Sequence, residues 1–157
     1  MRFSFIFVLV FVTIAVAAIP QQFSDIGSTK PFTIDPSCTT AALQSNQWKT
    51  YLAAGPGDSV IQAKTLDSNS VFTVIHEADG RVAFKTDKAT FMSARSQAEG
   101  YLVKTMPADQ DWERYHVVGD SADAIALNSF WTGNYVSARA ANEPVPVKLM
   151  PWNRPWE

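Results

Sequence analysis

Phe72-Thr73-Val74, Val82-Ala83-Phe84, Phe91-Met92-Ser93-Ala94 and Leu102-Val103-Lys104 are four short apolar runs in one stretch of the chain, divided by Asp79-Gly80, Asp87-Lys88 and Gly100. Runs of three to six residues that alternate or cluster apolar side chains between turn formers are strand signals, and no helical period competes with them. The same order occurs upstream as Phe32-Thr33-Ile34, Ala41-Ala42-Leu43, Tyr51-Leu52-Ala53-Ala54 and Val60-Ile61-Gln62-Ala63. It occurs again downstream as Tyr115-His116-Val117, Ile125-Ala126-Leu127, Tyr135-Val136-Ser137-Ala138 and Val145-Pro146-Val147. The leading aromatic moves from 32 to 72 to 115, steps of 40 and 43; the third-run aromatic moves from 51 to 91 to 135, steps of 40 and 44. Two independent landmarks agree, so the repeat is real.

Three copies of four strands predict an all-β domain with threefold pseudosymmetry, closed on itself so that no long sheet edge is left to aggregate. The β-trefoil has this strand count and period. A propeller blade is also four-stranded and about 40 residues long, but three blades fall short of the usual four or more. The second copy closes on Asp111-Trp112-Glu113 and the third on Pro155-Trp156-Glu157, and the strand that should follow the latter is Phe32-Thr33-Ile34. The two ends of the domain are therefore expected to lie side by side. Trp112 and Trp156 read as core residues, and Met150 to Pro155 as a rigid loop packing the bottom of the barrel, with an exposed protein-contact patch as the alternative.

The first residues read differently. Arg2 precedes an uncharged apolar run, Phe3 to Ala18, which ends in Ala15-Val16-Ala17 and is followed by Pro20 and two glutamines. Residues 1–18 are expected to be a cleaved signal peptide; as an uncleaved membrane anchor the run is a little short of the roughly 20 residues a span needs. Residues 19–31 form a leader and 32–157 the domain. Of 13 basic residues one, Arg2, belongs to the signal segment, so 12 remain against 15 acidic ones and the mature charge is −3. With no basic patch, nucleic acid and anionic membrane surfaces are not expected partners. A single cysteine, Cys38, excludes an internal disulfide, so stability must come from a packed core. The expected location is extracellular.

Gly80 to Thr86 followed by Phe91-Met92-Ser93-Ala94, Ile125-Ala126-Leu127 followed by Tyr135-Val136-Ser137-Ala138, and the two Trp-Glu closures together resemble the fascin-like, actin-cross-linking trefoil domains. The likeness runs from about residue 32 to the C-terminus and is weaker in the first copy, where Ser70-Val71 stands in place of Trp-Glu. It implies a β-trefoil that binds rather than catalyses, in fascins to actin filaments. Fascins are cytoplasmic and carry several trefoils, whereas one trefoil behind an export signal is expected here, a plan closer to sugar-binding trefoils. Gln110-Asp111-Trp112 matches a Gln-x-Trp step of ricin-type lectins, in one copy only.

No nucleophile elbow, zinc-protease motif or phosphate loop is present, and no cofactor is expected. His76 and His116 occupy non-equivalent places; His116, between Tyr115 and Val117, should face away from the core. The turn between the second and third strands of each copy carries the remaining signal. It reads Ser45-Asn46-Gln47-Trp48-Lys49-Thr50, Thr86-Asp87-Lys88-Ala89-Thr90 and Asn128-Ser129-Phe130-Trp131-Thr132-Gly133-Asn134. An indole beside amide groups suits a sugar ring or a protein anchor. Trp48 and Trp131, with Asn46, Gln47, Asn128 and Asn134, are the candidate ligand contacts; the competing reading folds both tryptophans back as caps on the barrel. A glycan or glycoprotein is the expected partner, with filamentous actin as the alternative and a protease, through an inhibitory hairpin, as a third.

Overall fold

The computed structural model describes residues 30–45, 48–121, 124–138 and 146–151. Residues 1–29, where the signal peptide is expected, and Asn46, Gln47, Val145, Trp152 and Trp156 lie outside the described residues.

Eleven strands occur among the described residues. β1 (Thr40–Ala42), β4 (Val71–His76), β5 (Val82–Lys85), β8 (Arg114–Ser121) and β9 (Ala124–Ser129) pair antiparallel in that order. Three hairpins complete the set: β2 (Tyr51–Ala54) with β3 (Val60–Ala63), β6 (Phe91–Ala94) with β7 (Val103–Met106), and β10 (Tyr135–Ser137) with β11 (Lys148–Met150). Their registers correspond: Tyr51 opposes Ala63, Phe91 opposes Met106, and Tyr135 opposes Met150.

Threefold symmetry is plainest where the hairpins meet. Val60, Val103 and Val147 are at most 1% exposed, so they stand at the centre of the molecule. The Val147 N–H donates to the Val60 carbonyl at 2.9 Å, and the Val103 N–H to the Val147 carbonyl at 2.9 Å. Leu52, Met92 and Val136 form a second buried trio, and in the same core Phe72 packs on Phe84 and Phe84 on Tyr115. The small-residue steps Ala53-Ala54, Ser93-Ala94 and Ser137-Ala138 are all buried; a larger side chain there would push neighbouring strands apart.

Several details depart from the sequence pattern. Phe32-Thr33-Ile34 is not a regular strand. Lys30 to Phe32 instead runs beside β8, with Pro31 bridging Val118 and the Phe32 N–H donating to the Val117 carbonyl at 2.9 Å. Ile34 is buried and Phe32 packs against the core. The last hairpin is closed by β11 at 148–150, just beyond the expected Val145-Pro146-Val147. Val145 lies outside the described residues, Pro146 bridges Ile61, and the Val147 N–H donates to the Val60 carbonyl. Short 3-10 turns lead into β4 and β8 at Ser68–Ser70 and Asp111–Glu113. Ser70 and Glu113 hold the same buried place in the two copies. Asp67 caps the first turn through the N–H groups of Asn69 and Ser70; Glu113 closes the second by accepting the Gln110 N–H at 2.9 Å.

The turn after the second strand of each copy needs one residue at positive φ: Lys49 (55°), Ala89 (60°) and Gly133 (69°). An L residue there costs about 1–2 kcal/mol, offset in part by the roughly 0.4–1 kcal/mol of unfolded-state entropy that a glycine adds. Ala89→Gly should therefore raise stability by about 0.5 kcal/mol. A Cβ at Gly133 would meet nothing within 4 Å, so Gly133→Ala should lower stability by a similar amount through conformation alone. Urea midpoints of the two variants moving in opposite directions would verify this.

Candidate functional site

The site grows from the β9–β10 turn. The Ser129 N–H donates to the Asn134 carbonyl at 2.8 Å, and the Gly133 N–H returns to the Ser129 carbonyl at 2.9 Å. The Thr132 N–H reaches Ser129 Oγ at 3.2 Å, the Asn128 side-chain amide donates to the Gly133 carbonyl at 2.7 Å, and the Asn134 N–H meets Thr132 Oγ1 at 3.2 Å. The Phe130 N–H, donating to the Arg114 carbonyl at 3.0 Å, ties the turn to β8. These bonds leave two large apolar side chains in solvent: Trp131 is 52% exposed and Phe130 43%.

Both rings are nonetheless held. Trp131 stacks on Trp112, with centroids 5.1 Å apart and planes 14° from parallel. Trp112 in turn carries the Arg95 guanidinium 4.5 Å from its ring centroid, and Arg95 Nε donates to Glu99 Oε2 at 2.7 Å. Phe130 lies under the Arg81 guanidinium at 3.9 Å and against the edge of His116 at 5.7 Å. Arg81 is locked by Asp79, whose Oδ2 lies 2.7 Å from Nε and 2.6 Å from one terminal nitrogen. That pairing holds the Asp79 carboxyl below the ordinary carboxylate range and raises the guanidinium correspondingly. Arg114 lies 3.4 Å from Asp111 and 3.6 Å from both Glu77 and Asp109. The aromatic patch thus rests on two guanidiniums, Arg81 and Arg95, with Arg114 tied to it through its carbonyl, and each arginine is paired to acids.

The structure separates residues that look equivalent in sequence. In the first-copy turn the Trp48 N–H donates to Ser45 Oγ at 3.2 Å, as Thr132 does to Ser129. The Lys49 N–H returns to the Ser45 carbonyl as Gly133 does to Ser129, and Gln44 donates to the Lys49 carbonyl as Asn128 does to Gly133. Trp48 is therefore the counterpart of Thr132, and the counterpart of Trp131 is Gln47. Trp48 is half-buried, and its indole nitrogen is enclosed with no partner among the described residues. Asn128 and Asn134 share the tip with Trp131, although the Asn128 amide is spent on bracing the turn. Asn46 and Gln47 lie outside the described residues.

Trp112 needs correcting: it is not in the core but half-buried at the rim, as support for Trp131. The two 3-10 turns also shift the alignment by one residue: Ser70 matches Glu113, so the first-copy counterpart of Trp112 is the polar Asn69 and not Ser70. Phe130, Arg81 and Arg95 also escape the strand pattern, because nothing local in the sequence brings 81, 95, 112 and 130 together. His116 faces away from the core as its alternation requires. His76 Nε2 lies 2.9 Å from the Cys38 carbonyl oxygen, and the Cys38 thiol donates to the Thr40 carbonyl at 3.3 Å. Among the described residues no three His, Cys, Asp or Glu side chains group to hold a metal ion.

No family model matches the chain, and no curated protein sequence does. Solved structures match it well. The designed threefold symmetric protein ThreeFoil is similar over 73% of this chain and 91% of its own, with a TM-score of 0.62 and 12% identity. The fold is a β-trefoil. A GlcNAcα1-4Gal-releasing endo-β-galactosidase of Clostridium perfringens matches with a TM-score of 0.61 at 8% identity, over 73% of this chain and 29% of its own. A mosquitocidal holotoxin matches with a TM-score of 0.63 at 6% identity, over 73% of this chain and 16% of its own. This trefoil thus spans less than a third of either of those proteins, and at such identities the likeness is one of fold.

Proposed function

We propose that the chain is an exported, non-catalytic binding module of the fascin-like trefoil type, and that its Trp131 turn engages a carbohydrate or glycoprotein. The observation that carries this reading is an indole more than half exposed yet immobilised on Trp112. A free surface tryptophan loses rotamer entropy when it binds; one already stacked and braced has lost it on folding, so more of the contact energy survives as affinity. A flat ring beside hydrogen-bonding groups is the arrangement that takes the apolar face of a sugar.

A glycan-array screen of the protein from Ile19 to Glu157, with Trp131→Ala and Trp48→Ala beside it, tests the proposal. Trp131→Ala should lose at least about tenfold in affinity, or 1.4 kcal/mol, with little change in thermal midpoint. Trp48→Ala should bind like the parent and melt earlier. A blank array from folded protein would overturn the sugar assignment, and co-sedimentation with filamentous actin would then be the next measurement.

A further inference from the structure

We infer that the Trp131 site selects neutral, hydroxyl-rich sugar chains over acidic ones, and that Asp111 is the acceptor that reads their hydroxyls; this rests on the carbohydrate reading above. The argument is one of charge. Arg81 and Arg95 cover rings of the patch and Arg114 neighbours them; Glu77, Asp79, Glu99, Asp109 and Asp111 pair with these three. Lys104, which also approaches Glu99, is held by Asp58, so four cations face six acids and the cluster carries a formal net charge of −2. Carboxylates and sulfates are recognised by guanidinium forks that present parallel N–H groups. Here the Arg81 fork is closed on Asp79, Arg95 donates to Glu99 and Arg114 to Asp111, and two of the guanidiniums lie over Phe130 and Trp112. An anionic chain would approach a negative rim, and among the described residues the two guanidiniums that cover the exposed rings and their support, Arg81 and Arg95, are already paired with acids. A cationic ligand would compete for the same π-systems with Arg81 and Arg95. A neutral ligand meets neither obstacle.

Asp111 is placed to serve it. The residue adjoins Trp112, on which Trp131 stacks, and its Oδ1 lies 3.7 Å from the Arg81 guanidinium that covers Phe130. The residue is thus next in sequence to one ring's support and near the other's, its Oδ1 takes the Arg114 guanidinium at 3.4 Å, and half of its side chain stays in solvent. A carboxylate accepts hydrogen bonds and donates none, so it complements the hydroxyl donors at the edge of a ring stacked on Trp131.

Native affinity electrophoresis in gels containing neutral galactan, glucomannan or xyloglucan, or acidic polygalacturonate or heparin, tests the inference. The protein should be retarded by at least one neutral polymer and by neither acidic one. Its retardation should be equal at about 0.02 and about 0.5 M NaCl, a range that collapses the screening length severalfold. Asp111→Ala should weaken neutral binding about tenfold, the worth of one charge-assisted hydrogen bond, with the thermal midpoint near that of the parent. Asp79→Ala, whose partner Arg81 lies on the Phe130 side, should weaken it less. Trp131-dependent retardation by an acidic polymer would overturn the selectivity while leaving the aromatic site intact. Undiminished binding by folded Asp111→Ala would overturn the acceptor role. No retardation in any gel would overturn the carbohydrate reading itself.

Discussion

Phe84→Ala is expected to cost the domain about 3–5 kcal/mol, the price of emptying a fully packed phenylalanine site. Phe84 is inaccessible to solvent, stands on β5 opposite Val74, and touches Phe72 edge-on at 6.2 Å and Tyr115 at 6.1 Å. Those neighbours belong to the second and third copies, so the ring joins two of the three repeats, and its loss leaves a hole bordered by rings that cannot collapse into it. With total stabilities of about 5–15 kcal/mol typical of such domains, the variant should unfold at a far lower denaturant midpoint, with an unchanged dependence on denaturant. Leu127, its counterpart in the third copy, is 5% exposed and aliphatic; Leu127→Ala should cost about 2–4 kcal/mol. A loss below about 1 kcal/mol for Phe84→Ala would mean that the core relaxes around the gap, contrary to the close packing of the three rings.

The architecture was readable because the repeat is carried by core positions, where burial forces apolar residues to recur. Val60, Val103 and Val147, like Leu52, Met92 and Val136, recur at the period the aromatic landmarks announce, and each trio is buried. The site was less readable because it is made of surface residues on which no periodic constraint acts. Trp131 was visible as an indole on a turn, but its support came from Trp112, which the Trp-Glu closure suggested was core. Counting from the serines that open each turn would have separated the two tip tryptophans: Trp48 lies three residues after Ser45, Trp131 two after Ser129. The arginine supports could not be found that way, because Arg81 and Arg95 reach the patch through tertiary folding of β5 and β6. The two ends of the pattern are the least regular part of it: Pro31 and Pro146, which have no N–H to donate, make isolated bridges to Val118 and Ile61.

Alkali should expose the other feature of this core that strand patterns do not reveal. Tyr115 is fully buried, and its hydroxyl has no hydrogen-bond partner among the described residues. Burial pushes its ionisation far above the ordinary tyrosine value, and the nearby Glu113 carboxylate pushes it further. In the unfolded chain the phenol ionises near pH 10, whereas the folded protein holds the proton. Below that pH the two states bind the proton alike and the full stability is present. Above it only the folded state keeps the proton, so stability falls by about 1.4 kcal/mol per pH unit, roughly 3 kcal/mol between pH 10 and 12. Tyr115→Phe removes the titration and also a buried hydroxyl without a partner, so at pH 7 it should be as stable as the parent or about 1 kcal/mol more so. Urea denaturation of both proteins at pH 7, 10, 11 and 12 separates this group from the lysines, which are common to both. The gap between them should widen by about 1.4 kcal/mol with each unit above pH 10; parallel declines would show that the Tyr115 hydroxyl ionises as freely in the folded domain as in the unfolded chain.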